Sequence, residues 1–363
     1  MINKILKVLT VFFLFALALN FKVNAENPYD VLGESLEEIE NFNGYEILED
    51  NGLTLENENF AENLTPSNIF EVFKELINNG YKTPLTAFLA VAAITIITAA
   101  CSSFLSQNRH FLSFLTIAAA ATVLLPLFNT LVTAANTLNA VSNFMLSFVP
   151  VFLGVVISNG FIASAKVSSP IIMFAASFVS KASTTVFLPL MGGYLSLNIS
   201  SSVSPVFSLN SFAVSLKNAA NYVMGFCTTL FLGVLSLSSN VSSSNDSLAL
   251  KTTRYLVNGM PVVGGAIAES LSVTISSLAL LKTGVGAFGI LAVAVILLPS
   301  LITLLFWKGS LFLSSFITEI LDLKVLSDFL KGVSAVVSVT IGIIIFVGLL
   351  FIISLAILVG LRR

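Results

Sequence analysis

The chain has 363 residues, 56% of them hydrophobic and only 10% charged, with a mean hydropathy of +0.97. Soluble domains run at roughly 45–50% apolar and about 25% charged, so the composition excludes a soluble globular protein and points to one built into a membrane. A formal net charge of −2 excludes the basic footprint of a nucleic-acid binder.

The charges are unevenly placed. Of 19 acidic residues, 14 lie between Glu26 and Glu75, and beyond Lys82 only 12 basic and 5 acidic residues remain. One His rules out a multi-His metal site. Cys101 and Cys227 sit inside separate apolar runs, where a thiol behaves as a small hydrophobe. No cofactor is expected.

Residues 1–25 read as a cleaved signal peptide. Lys4 and Lys7 precede the apolar run Val8–Leu19, which is short for a membrane span, and Val23-Asn24-Ala25 offers small residues before Glu26. Residues 26–82 form an acidic segment, expected on the extracytoplasmic side. Leu32, Leu36 and Ile39 share one helical face, as do Phe70, Phe73 and Ile77, and Thr65-Pro66-Ser67 can start the second helix.

Residues 83–363 read as a helical membrane domain. Candidate spans are Pro84–Leu105, Phe111–Ala134, Phe144–Ala163, Pro170–Tyr194, Asn218–Leu237, Val257–Leu281, Gly284–Phe306 and Val333–Leu361. Each is near or above the roughly 20 residues that cross a bilayer as a helix. Loops are expected at Ala135–Asn143 and Ser196–Ser215. With the mature N-terminus outside, Arg109, Lys166, Lys251 and Arg254 fall on the cytoplasmic side, as basic residues prefer. Eight spans would leave Arg362 and Arg363 outside, so one of 257–281 or 284–306 is expected to be re-entrant. The fold class is an all-α polytopic membrane protein with about seven (six to eight) transmembrane helices, some broken or re-entrant. The amphipathic stretch Leu311–Leu330, carrying Glu319, Asp322, Lys324 and Asp328, lies in the interface or pairs with a neighbouring segment.

The stretch Lys251–Gly289 organises the rest. It joins the basic pair Lys251 and Arg254 to a Pro261, Gly264, Gly265 break, then Glu269, then Lys282 and a glycine cluster. Broken backbone in hydrocarbon must be satisfied by protein or water, so this stretch is expected to pack against something specific. Glu269 is placed at the head of the run Ser270–Leu281, where a carboxylate suits a helix N-terminus, and Lys282 at a helix end. Lys181 falls midway in a span, where a cation must face protein, water or a break between half-helices. These eight residues are the candidate assembly or pore positions. Gly284–Gly289 fits G-x-G-x-x-G, but an apolar run and Lys282 precede it rather than a strand. Small residues at a helix entry or hinge explain it better than a nucleotide site. No nucleophile–base, paired-carboxylate or metal-ligand set is present, so an enzyme is not expected.

Three stretches carry a resemblance. They are Phe148–Pro170, Gly225–Val234 and above all Lys251–Gly289, with Lys251-Thr252-Thr253-Arg254-Tyr255, Pro261-Val262-Val263-Gly264, Ala268-Glu269 and Lys282-Thr283-Gly284-Val285-Gly286 in order. The chain resembles the stage III sporulation protein AE family of endospore-forming Firmicutes over roughly residues 85–360. Where the family shows Ser-Asp this chain has Ala268-Glu269, which keeps the carboxylate and loses the hydroxyl.

The resemblance implies a subunit of the sporulation channel that joins mother cell to forespore. It also implies a place in the mother-cell membrane, with the acidic segment outside the cytoplasm. Implied partners are the other proteins of the stage III sporulation A operon, including its ATPase, and through them a forespore-side channel protein. A stand-alone secondary transporter with a midplane site between broken helices is the alternative.

Overall fold

The computed structural model describes residues 80–104, 109–203 and 264–359, together with 74, 215, 222, 229, 231, 233 and 234. The expected signal peptide, nearly all of the acidic segment, and the expected span Asn218–Leu237 apart from a few isolated positions lie outside the described residues. So do Lys251, Arg254 and Pro261. The described chain is all helical: α1 (Lys82–Phe104), α2 (Arg109–Ser158), α3 (Ile162–Ala182), a π turn (Ser183–Phe187), α4 (Leu188–Val203), α5 (Gly264–Ile320) and α6 (Lys324–Val359). Among the described residues five stretches are long and apolar enough to cross a membrane: Lys82–Ala100, Ile117–Ser158, Ile162–Leu197, Gly284–Ile320 and Lys324–Val359. Their outer surfaces carry exposed Leu89, Ile96, Leu125, Phe174, Phe178, Phe312 and Phe316, as a lipid-facing wall requires.

The expected loop Ser196–Ser215 is helical in its described part, since α4 runs to Val203, and two further expected breaks are absent. Phe111–Ala134 and Phe144–Ala163 are joined through the expected loop Ala135–Asn143 into the 50-residue α2. Residues 135–143 are polar enough to read as a loop, yet Ala135, Leu138, Val141 and Ser142 are buried. Thr137 meets Ser300 of α5 at 2.6 Å, and Ser180 of α3 donates to Asn139. Tertiary partners satisfy Thr137 and Asn139 of this stretch. Arg109 and Lys166 therefore lie near opposite ends of a rod about 75 Å long, so α2 cannot put both on one side as a single crossing. Likewise the described part of Val257–Leu281, from Gly264 on, and Gly284–Phe306 merge into α5, 57 residues long, with no interruption at Lys282-Thr283-Gly284 and no re-entrant turn there.

Ser and Thr are tolerated inside these helices because their hydroxyls bond back one turn. Thr95 donates to the Val91 carbonyl at 2.7 Å, Ser142 to Leu138 at 2.7 Å, and Thr340 to Val336 at 3.1 Å. Pro189 removes a donor and crowds the preceding turn, and the helix widens into the π turn just before it.

The two short turnarounds share one device. At the end of α2, Gly160 has φ 89°, its N–H bonds the Ile157 carbonyl at 2.8 Å, and the Phe161 N–H bonds Val156 at 3.2 Å. At the end of α5, Asp322 has φ 54°, its N–H bonds Glu319 at 3.1 Å, and the Leu323 N–H bonds Thr318 at 2.9 Å. This is the Schellman pattern, and in both cases the next residue, Phe161 or Leu323, is buried. Leu311–Leu330 thus forms the tip of a helical hairpin, and Lys331 meets Glu319 across it at 3.0 Å.

α2 and α5 run antiparallel through the centre, α6 packs along α5, and α1 and α3 flank α2. Their closest approach is at glycines. A Cβ on Gly289 would come within 2.5 Å of Phe148 Cζ and 3.2 Å of Leu355 Cδ1, and one on Gly286 within 3.0 Å of Phe152 Cζ. The glycine cluster is thus an inter-helix notch inside a continuous helix, not a helix entry. By contrast, nothing lies within 4 Å of a Cβ on Gly309. Gly289→Ala is expected to lower stability in detergent by about 1–3 kcal/mol, as overpacking does. Gly309→Ala, at an exposed helical site, should hold stability or raise it by about 1 kcal/mol. Thermal unfolding of the two variants side by side checks this.

Candidate functional site

Polar side chains inside the apolar body converge on α5. Trp307, the chain's one tryptophan, is fully buried, and its Nε1 donates to Thr130 Oγ1 at 3.0 Å. Thr130 in turn donates to the Pro126 carbonyl at 2.9 Å. The next residue, Lys308, reaches the other way and donates from Nζ to Ser338 Oγ of α6 at 2.9 Å. Two residues on, Ser310 donates to the Pro84 carbonyl of α1 at 2.8 Å. Trp307, Lys308 and Ser310 therefore tie α5 to α2, α6 and α1 within a single helical turn. Thr137 and Ser300 make the same kind of link two turns away. In hydrocarbon such inter-helix hydrogen bonds replace water as the partner of each polar group.

Lys308 was not singled out from the sequence, because the span Gly284–Phe306 was expected to end before it. α5 continues through Ile320, so the ammonium lies within an apolar helix. The signal available in the sequence was the apolar run Leu311–Ile317 that follows Lys308.

Of the expected positions, Lys181 is exposed on α3, in the last turn before the π turn. It marks a change of helical pitch within one continuous helix rather than a gap between two half-helices. Gly264 and Gly265 open α5. Glu269 does not head a helix. α5 begins at Gly264, which leaves no acidic residue in its first turn, where the helix dipole acts most strongly. Lys282 does not end a helix either; it lies inside α5, and its terminal role gives way to an interior one. Glu269 and Lys282 both lie on α5, and Lys181 lies on α3. Among the described residues no cluster of His, Cys, Asp or Glu has the makings of a metal site.

Helices of this length and apolarity, pinned together by buried hydrogen bonds, define an all-helical body with several segments able to cross a membrane. Residues 50–361 match the stage III sporulation protein AE family, and the chain belongs to that family. A curated relative, stage III sporulation protein AE of Bacillus subtilis (strain 168), is 27% identical over 158 residues, 43% of this chain and 40% of that protein. The matched stretch thus spans about two fifths of the relative's length. No solved structure matches the chain.

Removing the acceptor under Trp307 leaves a buried N–H without a partner, at a cost of about 1–3 kcal/mol. Thr130→Val should lower the unfolding temperature, and adding Trp307→Phe on top of it should cost less than the sum of the two single changes. Unfolding of Thr130→Val can be followed through the emission of this lone tryptophan, and of all four chains by circular dichroism.

Proposed function

We propose that this chain is a membrane-embedded subunit of the transenvelope channel between mother cell and forespore that endospore formation requires. In this reading it crosses the mother-cell membrane several times, with its acidic N-terminal segment on the extracytoplasmic side. It assembles with the other products of the stage III sporulation A operon, including the ATPase, and through them with the forespore-side channel protein. The observation that carries the reading is the family match across 50–361, which takes in every long apolar helix described. The hydrogen bonds that lock α1, α2, α5 and α6 together support a rigid body suited to holding neighbours. Lys251, Arg254 and Glu269 are the residues proposed to contact them.

Affinity capture of the tagged chain from sporulating cells is expected to recover other products of the operon. Recovery of none of them, or ion-coupled uptake by the purified chain alone in vesicles, overturns the proposal. Glu269→Leu and the pair Lys251→Ala/Arg254→Ala are each expected to arrest sporulation after engulfment, with vegetative growth and protein level unchanged. Normal spore yield in both would reduce these charges to solvated surface.

A further inference from the structure

The outward face of α2 carries a polar ladder whose Asn side chains have no hydrogen-bond partner among the described residues. Thr122, Asn129, Asn136 and Asn143 recur every seven residues, and all four are exposed. Four residues after each Asn come Thr133, Ala140 and Ser147, and Gly154 extends this second series by one more step of seven. Seven residues are close to two helical turns, so both series form one stripe along the helix. The stripe lies within the apolar segment Ile117–Ser158, and its surroundings are what lipid demands: Leu125 is 73% exposed and Phe174 on α3 71%.

Two features bear on what this face is for. Elsewhere the chain pairs the polar groups of α2, Thr130 with Trp307, Thr137 with Ser300 and Asn139 with Ser180. Among the described residues it supplies no hydrogen-bond partner for the side chains of Asn129, Asn136 or Asn143. A carboxamide left unpaired in hydrocarbon costs several kcal/mol, roughly 4–8 on transfer to an alkane. Gly154 is the second feature. A Cβ there would meet nothing within 4 Å, whereas one on Gly286, Gly289 or Gly348 would meet a neighbouring side chain closely. Among the described residues its small size serves no contact, as is also true of Gly193 and Gly309.

We infer that this stripe is the contact surface for α2 of a second copy of the chain. Two copies inserted by the same route cross the membrane in the same direction, so their α2 helices meet in parallel. In a parallel pair each position faces its own counterpart. A carboxamide both donates and accepts, so an Asn ladder is complementary to itself and to any copy in the same register. A repeat of seven keeps that register along a left-handed pair. Thr133, Ala140, Ser147 and Gly154 allow the close backbone approach that membrane helix pairs use. A partner of different sequence would have to reproduce the same period, which a copy brings by construction. The inference does not depend on the channel reading, and the assay below uses the purified chain alone, so the two stand or fall separately.

The test uses the full chain with Cys101→Ala and Cys227→Ala, purified and returned to phosphatidylcholine vesicles. Single cysteines are placed by Asn129→Cys, Asn136→Cys and Asn143→Cys, with Ile96→Cys on the exposed side of α1 as the control (Ile96 is 61% exposed). Oxidation with copper phenanthroline is expected to give disulfide dimers at the three ladder positions and at least about tenfold less at position 96. Monomer at all three, or equal dimer at position 96, overturns the inference. In a second measurement, energy transfer between labelled copies should report dissociation at least about tenfold easier for Asn129→Leu/Asn136→Leu/Asn143→Leu. Unchanged helicity and Trp307 emission would show that this variant still folds. An unchanged dissociation constant overturns the inference, and that is the result expected if residues 204–263 of the same chain cover the ladder.

Discussion

Phe148 and Phe152 of α2 lie over Gly289 and Gly286 of α5, and this contact sets the spacing of the whole body. Lipid tails are as apolar as leucine, so helices inside a bilayer gain little from hiding hydrophobic surface on one another. Close packing has to hold them instead, and it needs a notch. The same two glycines receive α6 from the other side, through Leu355 and Val359, so one short stretch of α5 is where three helices meet. Phe144, Phe148 and Phe152 stack in a row above it, with Phe288 tilted against Phe148. Once that contact is made, antiparallel register brings Thr137 to Ser300 and Thr130 to Trp307 further along the same pair. The hydrogen bonds read as consequences of the glycine notch, and they fix the rotation that packing alone leaves free.

Much of this was legible in the residues, and the misses have a common cause. Membrane class, the apolar runs and the order of the helices follow from composition and run length, which lipid enforces strictly. The expected loop Ala135–Asn143 and the expected break at Lys282–Gly284 failed for one reason. Asn, Thr, Ser and Gly signal a break in water, but within a helical body the same residues serve as hydrogen-bond partners and as room for a neighbour. Nothing in the local sequence separates Asn139, tied to Ser180, from an Asn in a surface turn. Among the described residues the expected spans Phe111–Ala134 and Phe144–Ala163 accordingly join in one long apolar helix, while Asn218–Leu237 falls mostly outside the described residues. The expected span Phe144–Ala163 ran through Asn159-Gly160, where α2 ends, and the left-handed Asp322 at the tip of α5 is an uncommon residue for that position.

The candidate site shows the same division. Glu269 and Lys282 were noticed because charges stand out in apolar sequence. Their assigned roles depended on helix ends that α5 does not have. Lys308 flanks the expected span Gly284–Phe306, yet it ties α5 to α6 by way of Ser338. Position along a run is a weak guide when the helices exceed the bilayer. Ile117–Ser158 would extend about 63 Å against a hydrocarbon core of about 30 Å. Even a steep tilt does not hide such a rod, so an apolar residue in these helices need not contact lipid, and a polar one need not contact water.

The two capped turnarounds bear on how such a body can be gripped or tagged. Asn159–Phe161 and Leu321–Leu323 reverse the chain in three residues apiece, with Phe161 and Leu323 drawn inward. Because α2 and α5 are antiparallel, these corners sit at opposite poles of the molecule. Neither leaves slack for an epitope, a protease site or a fused reporter, and inserting one would pry the buried corner residue from its seat. Handles belong instead on the helix flanks, and at these two poles a neighbour finds a smooth knuckle rather than a strap.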